Sequence, residues 1–462
     1  MSDNRFDKRL YIYMLAAALW LAVWQIASTL TGLDIVLPGP VKVFFCMTDM
    51  LAHKSTYIIT LNSMLNILMG FATAFVTSVA AGIAAGCSRT VRIILAPPVS
   101  TMQALPVTAF IILVLMIAGA GRVSAVIAFI VVFPVIYHGM VQGIENMDRK
   151  LAEMADVFNI RGVRRFVYIS LAQCMPYIKT AIKSSAGMCW KAGAAAEVIG
   201  LTRNSIGEQM YLSKLYLDTE TLLSWGIIII LASVLFERVL LCAADMVMKM
   251  CCNGFRMRSV PHVKGDFAPR KIILENISAG YGKENVLSNI NLEVQPGEHV
   301  CLMGESGIGK TTLLKIIAGL QEYSSGYANL PERISFVFQD DRLCPWLSAC
   351  DNVRLAVPYI PKKVVRRELA KLIGEAACDK KADALSGGMK RRCEIVRAML
   401  SDADTVIMDE PFAGLDEDNK SLAVRYILDN IGDRQLIVST HDSKDAAGLH
   451  AEAFFIDKNG NG

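Results

Sequence analysis

Charge is scarce in this sequence. Charged residues make up 19% of its 462 positions, against about 25% in an ordinary soluble protein. Hydrophobic residues reach 53%, and the shortage of charge excludes a chain that lives wholly in water. The net charge is only +4, and no dense Lys/Arg cluster with interleaved aromatics occurs, so the chain lacks the footprint of a nucleic-acid binder. The twelve cysteines are scattered. With no CxxC pair and no histidines at zinc-ligand spacing, a structural zinc site is excluded. Reduced, buried thiols in a cytosol-facing protein fit this usage. The one adjacent pair, Cys251-Cys252, reads as apolar filler at a membrane exit or as a lipidation site. No small-residue cleavage site follows the N-terminal apolar run, which is too long for a signal-peptide core. It reads as a retained anchor.

What the chain does have is unevenly placed. Long uncharged runs fill residues 10–245, and the rest has the mixed texture of a cytosolic enzyme. A helix needs about 20 apolar residues to cross a bilayer. Residues 10–33, 58–87, 99–119, 123–143, 177–200 and 222–241 qualify, which predicts an all-α polytopic membrane domain of about six transmembrane helices. Stretches such as "TSVAAGIAAG" carry the small residues that let helices approach closely in lipid. Arg5, Lys8, Arg9, Arg89, Arg92, Arg149, Lys150, Arg161, Arg164, Arg165, Arg238, Lys249, Arg256 and Arg258 lie on one side of these spans. The other side has fewer: Lys42, Lys54, Arg122, Arg203 and Lys214. The positive-inside rule puts the N-terminus and everything after the last span in the cytoplasm.

The fifth span, "PYIKTAIKSSAGMCWKAGAAAEVIG", holds Lys179, Lys183, Lys191 and Glu197. Lys179 and Lys183 are near enough to the cytoplasmic end to snorkel. Lys191 lies about 22 Å past Pro176 at helical rise. A charge at mid-membrane costs about 2.5–3.5 kcal/mol on insertion scales, so Lys191 is expected to face protein or water, either lining a permeation path or paired internally. Between the fourth and fifth spans, Leu151, Met154, Ala155 and Phe158 recur at helical spacing. They predict a short cytoplasmic amphipathic helix that lies on headgroups or plugs into a partner domain.

Residues 249–270 lose apolar periodicity and read as a linker. Beyond it, short β-rich runs alternate with helical patterns, the mark of an α/β sheet domain. "HVCLMGESGIGKTTLLKIIAGL" is a strand, a glycine-rich loop and a helix in P-loop order. The loop Gly304, Glu305, Ser306, Gly307, Ile308, Gly309, Lys310, Thr311, Thr312 curls its N–H groups toward phosphates. Lys310 is placed for the β/γ-phosphates and Thr311 for Mg²⁺. The chemistry predicted here is therefore that of ATP with Mg²⁺. "TVIMDEP" (405–411) is an apolar strand ending in two acids. Asp409 is a candidate Mg²⁺ ligand through water, and Glu410 a general base for the attacking water. "IVSTHD" (437–442) is a second apolar strand that puts His441 at its tip, toward a γ-phosphate. "ALSGGMKRRCEIVRAML" (384–400) opens a helix at Ser386, Gly387 and Gly388, a second anion-binding N-terminus.

These motifs together resemble ABC importers of the nitrate/sulfonate/taurine/bicarbonate type, with permease and ATPase fused in one chain. In the first half the resemblance rests on Glu153-Met154-Ala155 followed by Ile169-Ser170-Leu171, the "EAA" loop of importer permeases. It rests also on "LPGPVKV" at 37–43, "LNSMLNILMGFATA" at 61–74 and "WKAGAAAEVIG" at 190–200. In the second half Leu385-Ser386-Gly387-Gly388-Met389 resembles the ABC signature, with Met389 where the motif commonly has Gln.

The resemblance implies that the signature covers ATP held by another copy's P-loop, that Tyr281 stacks on adenine, and that Gln339, in the Q-loop, joins the catalytic and Mg²⁺-binding residues. It places Asp416 in the D-loop, and Glu153, Ala155 and Asn159 in a coupling loop (146–175). The domains implied are a permease at 1–248, the linker at 249–270 and an ABC ATPase at 271–462. The implied function is ATP-driven import of a small anionic solute, with Lys191 and Glu197 as translocation-path residues. The implied partners are a second copy of the chain, an external substrate-binding protein and the lipid of a bacterial cytoplasmic membrane, with no nucleic acid. Three departures stand out. Asn159 replaces the loop's Gly, Ala172 replaces a Pro at the loop's exit, and the stretch from Gln339 to Ser386 is short for the helical subdomain that carries the coupling groove. An exporter half-unit or a regulatory membrane ATPase are the alternatives. Spans of about 20 residues with short loops argue against the long cytoplasmic helices of exporters.

Overall fold

The computed structural model describes residues 3–33, 35–249, 270–281, 284–305 and 307–456, with residues 3–10, 13, 281, 284 and 285 described in backbone only. Most of the expected linker, Cys251-Cys252 and Ser306 lie outside the described residues. The chain divides into two compact units, Met1–Met147 with Cys174–Val247, and Asp148–Gln173 with Met248–Gly462.

The first unit is all helix. It contains α1 (Asp3–Thr31), α2 (Pro40–Ala52), α3 (Lys54–Cys87), α4 (Arg89–Ala104), α5 (Val107–Ala118) and α6 (Val123–Glu145). After the excursion of 148–173 come most of α9 (Ala172–Gly200), then α10 (Ile206–Leu215) and α11 (Thr219–Lys249). Among the described residues α1, α3, α6 and α11 are long and apolar enough to cross a membrane. The expected span at 99–119 is not one straight helix. It breaks at Leu105-Pro106, and α4 and α5 meet at a 106° bend, a fifth crossing only if the pair counts as one. The cause is local: Pro106 has no N–H to continue the ladder and drives Leu105 to extended backbone (φ −67°, ψ 127°). The expected fifth span is the 29-residue α9, long enough to cross, but its three lysines and one glutamate keep it outside the apolar set. The six expected spans thus fall on α1, α3, the bent pair α4 and α5, α6, α9 and α11, four of which are long and apolar enough as single helices.

Small residues set the helix packing. A Cβ at Gly70 on α3 would collide with the Ala125 carbonyl of α6 and lie 2.8 Å from the Ala128 Cβ; at Gly82 it would lie 2.6 Å from the Met140 Cβ. The exposed surface of this unit is apolar, with Leu19, Trp20, Ile94, Met116, Ile117 and Leu235 all outward. That is the surface of a chain whose solvent is lipid.

The second unit is α/β. Its first segment, α7 (Arg149–Val157), α8 (Gly162–Arg165) and a π-helical turn Phe166–Leu171, comes from the loop between α6 and α9. Then follow β1 (Ile272–Tyr281), β2 (Glu284–Val294), β3 (His299–Met303), α12 (Lys310–Ile317), β4 (Ser325–Asn329), β5 (Ile334–Val337), α13 (Ala349–Ala356), α14 (Lys362–Ile373), α15 (Gly387–Leu400), β6 (Thr405–Asp409), α16 (Glu417–Ile431), β7 (Gln435–Ser439), α17 (Ser443–Gly448) and β8 (Glu452–Phe455). An antiparallel sheet has the order β2-β1-β4, and a parallel sheet the order β5-β6-β7-β3-β8. Because β6, β7 and β3 are neighbours and parallel, the loops after all three open on one edge. Ligands bind at that edge in open α/β sheets.

Replacing Gly70 by Val is expected to destabilise the detergent-solubilised chain by about 1–3 kcal/mol, the usual cost of overpacking. Gly187, which has open space around its Cβ position, should accept Ala without loss. Thermal unfolding of the two variants side by side checks this.

Candidate functional site

The loop between β3 and α12 is shaped by its glycines. Gly304, Gly307 and Gly309 have φ of 155°, 84° and 106°, a run that side chains resist. Gly309 caps α12, so the free N–H groups of the helix's first turn point back toward the loop. A Cβ at Gly307 would meet nothing within 4 Å, leaving that side of the loop open. Lys310 is 6% exposed, and its ammonium donates to the carbonyls of Gly304 (2.7 Å) and Glu305 (2.9 Å). Burial lowers its pKa against the opposing pull of Glu410 and Asp409.

The acidic end of β6 meets this loop. The Thr311 hydroxyl donates to Asp409 Oδ2 at 2.8 Å, and the Ser439 hydroxyl donates to Oδ1 at 2.6 Å. Ser439 is absent from the sequence reading; its signal is its place just before Thr440-His441 at the end of β7. Glu410 has φ 49°, the left-handed region where a side chain is strained. Its N–H is held by the carbonyl and the hydroxyl of Ser439, each at 3.1 Å. Its carboxylate then meets His441 Nε2 at 2.7 Å and accepts from Gln339 Nε2 at 3.4 Å. His441 Nδ1 lies 3.5 Å from the Lys310 ammonium. The structure thus brings together Lys310, Thr311, Gln339, Asp409, Glu410 and His441. The open loop of N–H groups and buried ammonium suits a polyphosphate, and the hydroxyl and carboxylate oxygens of Thr311 and Asp409 suit Mg²⁺, a hard cation.

The signature residues are elsewhere on the unit. Ser386 caps α15, its hydroxyl accepting from Met389 N at 3.3 Å. Leu385 is buried, whereas Ser386 and Gly387 are exposed. Among the described residues none of Ser386, Gly387, Gly388 and Met389 is hydrogen-bonded to the phosphate loop. Asp416 caps α16 through Asn419, whose hydrogen bonds lower its carboxyl pKa. The Gly388 Cβ position is 3.1 Å from Leu415, so the signature and the segment before Asp416 are adjacent. Of the remaining loop residues, Ile308 and Thr312 are partly to fully buried and Glu305 is exposed. Tyr281 ends β1, and its side chain is outside the described residues.

The amphipathic helix plugs into a domain. Asp148 caps α7 by accepting from Lys150 N at 2.8 Å. Leu151, Met154, Ala155, Phe158 and Ile160 enter the core cluster that includes Phe336, Phe338, Cys344 and Leu347. Glu153 accepts from Arg342 Nη1 at 2.6 Å, Lys150 pairs with Asp340 at 2.9 Å, and Trp346 Nε1 donates to the Tyr168 carbonyl at 2.8 Å. That pairing lowers the Asp340 pKa and raises that of Lys150. Asn159 takes φ 51° and Ile160 N bonds back to the Ala155 carbonyl at 2.8 Å, so Asn supplies the left-handed turn. Ala172 is helical and donates its N–H to the Ile169 carbonyl. A proline there could not, and the helical backbone runs on. The short stretch 339–386 still forms α13 and α14, and its residues Asp340, Arg342 and Trp346 bond to Lys150, Glu153 and Tyr168. Arg342, Arg391, Glu394 and Arg397 are buried parts of this region that the sequence reading missed.

In the first unit, Lys191 and Glu197 of α9 are not brought together. Lys191 is exposed. Glu197 is fully buried, accepting from the Ser63 hydroxyl at 2.7 Å and from Gly207 N at 3.4 Å. Only Lys191 keeps an open position here; Glu197 ties α3, α9 and α10 to one another.

Residues 77–246 match the family of binding-protein-dependent transport system inner membrane components, and residues 287–413 match the ABC transporter family. The chain is 40% identical to the aliphatic sulfonates import ATP-binding protein SsuB of Granulibacter bethesdensis over 31% of this chain and 61% of that protein, so it spans less than two thirds of that relative. It is 36% identical to the bicarbonate transport ATP-binding protein CmpD of Synechococcus elongatus over 38% of this chain and 72% of that protein. A solved dimeric ATP-binding cassette, MJ0796 bound to ADP and Pi, is 27% identical, with a TM-score of 0.37, over 41% of this chain and 95% of that one. The chain belongs to the ABC transporter family, and it joins an importer-type permease domain to an ABC ATPase domain in one polypeptide.

Changing Trp346 to Phe removes the bond to the Tyr168 carbonyl, a net loss of about 1 kcal/mol. Trypsin should then cut after Arg161, Arg164 or Arg165 about fivefold faster, read from fragment appearance over time.

Proposed function

We propose that this chain imports a small anionic solute across a bacterial cytoplasmic membrane at the expense of ATP. It works as a pair of identical chains that receive solute from an external binding protein. The observation that carries the reading is one peptide segment. Gln339, bonded to Glu410, and Arg342, bonded to Glu153 of α7, are three residues apart. A change at the hydrolytic centre therefore reaches a loop that continues into the membrane helices.

The proposed roles follow from chemistry. The N–H groups of 304–312 and Lys310 bind the β/γ-phosphates, with charge-assisted bonds the strongest among them. Tyr281 is assigned to the adenine. Glu410 takes a proton from the attacking water, and His441 holds its carboxylate in place. Thr311, Asp409 and Gln339 would hold Mg²⁺, which supplies positive charge against the phosphates. One chain has one phosphate loop and one signature at Leu385–Met389, with Asp416 beside it, so a second copy completes each site by C2 symmetry. The boundaries proposed are 1–248 for the permease and 271–462 for the ATPase, with both ends of the permease in the cytoplasm as the positive residues require. Glu153, Ala155 and Asn159 form the coupling turn. Lys191 faces the path and favours an anion, because lipid would penalise an exposed charge at that depth.

Glu410→Gln should bind ATP and lock the paired chains without turnover. Phosphate release and light-scattering mass check this, and hydrolysis at the unaltered rate would show that another group is the base. Lys191→Met should lower anion uptake into proteoliposomes at least tenfold while leaving ATP binding unchanged. Equal uptake by a folded variant removes Lys191 from the path.

A further inference from the structure

Glu394 is a fully buried carboxylate in the middle of α15 that none of the roles above uses. One oxygen, Oε1, accepts from the Arg342 N–H at 2.6 Å and from Arg397 Nη2 at 3.2 Å. The other, Oε2, is 3.5 Å from Arg391 Nη1. The three arginines are 5%, 0% and 6% exposed for Arg342, Arg397 and Arg391. Each has a second task. Arg391 donates to the carbonyls of both Phe338 and Gln339. Arg397 donates to the Arg342 carbonyl at 2.7 Å, and its guanidinium lies 4.9 Å from the Phe158 ring centroid. Arg342 stacks 3.5 Å over Phe338 and reaches Glu153 and the Lys150 carbonyl.

Residues 338–342 are thus bonded at both ends to one helix, whose N-cap is the signature serine. Stability alone does not account for this cluster. Burying charges costs several kcal/mol per ion, and well-packed hydrophobes in their place are often as stable or more so. What an ionic cluster adds is geometry: it fixes which groups move together.

We propose that Glu394 is a positioning residue that makes the segment from Gln339 to Arg342 move as one body with α15, so that closure at the signature is delivered to Glu153 on α7. The proposal rests on the reading of α7 as the coupling helix. Without the carboxylate, Arg391 and Arg397 lose their common anchor. Gln339 can then respond to nucleotide while Arg342 and α7 do not.

The test is hydrogen exchange on the full-length chain in lipid nanodiscs, in the Glu410→Gln background so that ATP is retained, with and without MgATP. With Glu394 intact, MgATP should slow exchange both in the phosphate loop and in residues 149–157. E394Q, which keeps the shape and loses the charge, should keep the loop response and lose at least three quarters of the change at 149–157. E394D draws the carboxylate back by one methylene and should behave the same way, which covers the case of E394Q failing to fold. A response at 149–157 in either folded variant equal to the parent's overturns the relay while leaving the transporter reading intact. Faster exchange throughout 338–400 already without ATP marks a structural role and also overturns it. No response at 149–157 in the parent removes the coupling reading, and the relay with it.

Discussion

The ion pair between Glu153 and Arg342 is the contact on which the rest of the molecule depends. Glu153 belongs to a loop between two membrane-type helices; Arg342 belongs to the ATPase core. The guanidinium is nearly buried and the carboxylate half-exposed, which makes the pair stronger than a surface bridge yet still able to break. Around it the apolar face of α7 fills the cluster containing Phe336 and Phe338. Apolar burial holds the helix in place, and the charges determine where along the groove it sits. A loop held only by hydrophobic contact could slide; a loop held only by charge would come loose in salt.

The phosphate-loop edge reads as a set of groups kept apart by partners they already have. Lys310 rests on two loop carbonyls, Thr311 on Asp409, and Glu410 between His441 and Gln339. The bonds of Lys310 and Asp409 satisfy buried polar groups that would otherwise be costly, whereas Gln339 and His441 are exposed. Under the proposed function, phosphate oxygens would replace the carbonyls on Lys310, and a hard cation would replace the hydroxyl proton on Asp409. Exchange of one set for the other is what would move Gln339, and with it the segment leading to Arg342.

Much of this was legible in the sequence because its signals are local. A loop that needs positive φ at Gly304, Gly307 and Gly309, an apolar strand running into Asp409-Glu410, and an amphipathic period at Leu151, Met154, Ala155 and Phe158 each declare themselves within ten residues. Asn159 in a left-handed turn was legible for the same reason. The break in the third apolar run was not. Pro97, Pro98, Pro134 and Pro176 all sit inside helices, so Pro106 carried no distinguishing mark. The cluster on α15 was hidden by its periodicity. Charges at 391, 394 and 397 fall three residues apart, the spacing of a solvated face. Only the tertiary fold reveals that this face is buried against residues 338–342. Ser439 was missed because its partner, Asp409, lies on the neighbouring strand.

The central claim is that each nucleotide is held between two copies of the chain. The most direct measurement is complementation between two inactive chains, one with Lys310→Ala and the other with Gly387→Asp, mixed during refolding or co-expressed and purified as a mixed pair. In a composite site, the intact phosphate loop of one chain meets the intact signature of the other. The mixture should then recover ATP hydrolysis that neither chain has alone. A mixture no more active than its parts, from pairs shown to contain both chains, would mean that loop and signature serve the same nucleotide within one polypeptide and would contradict the account.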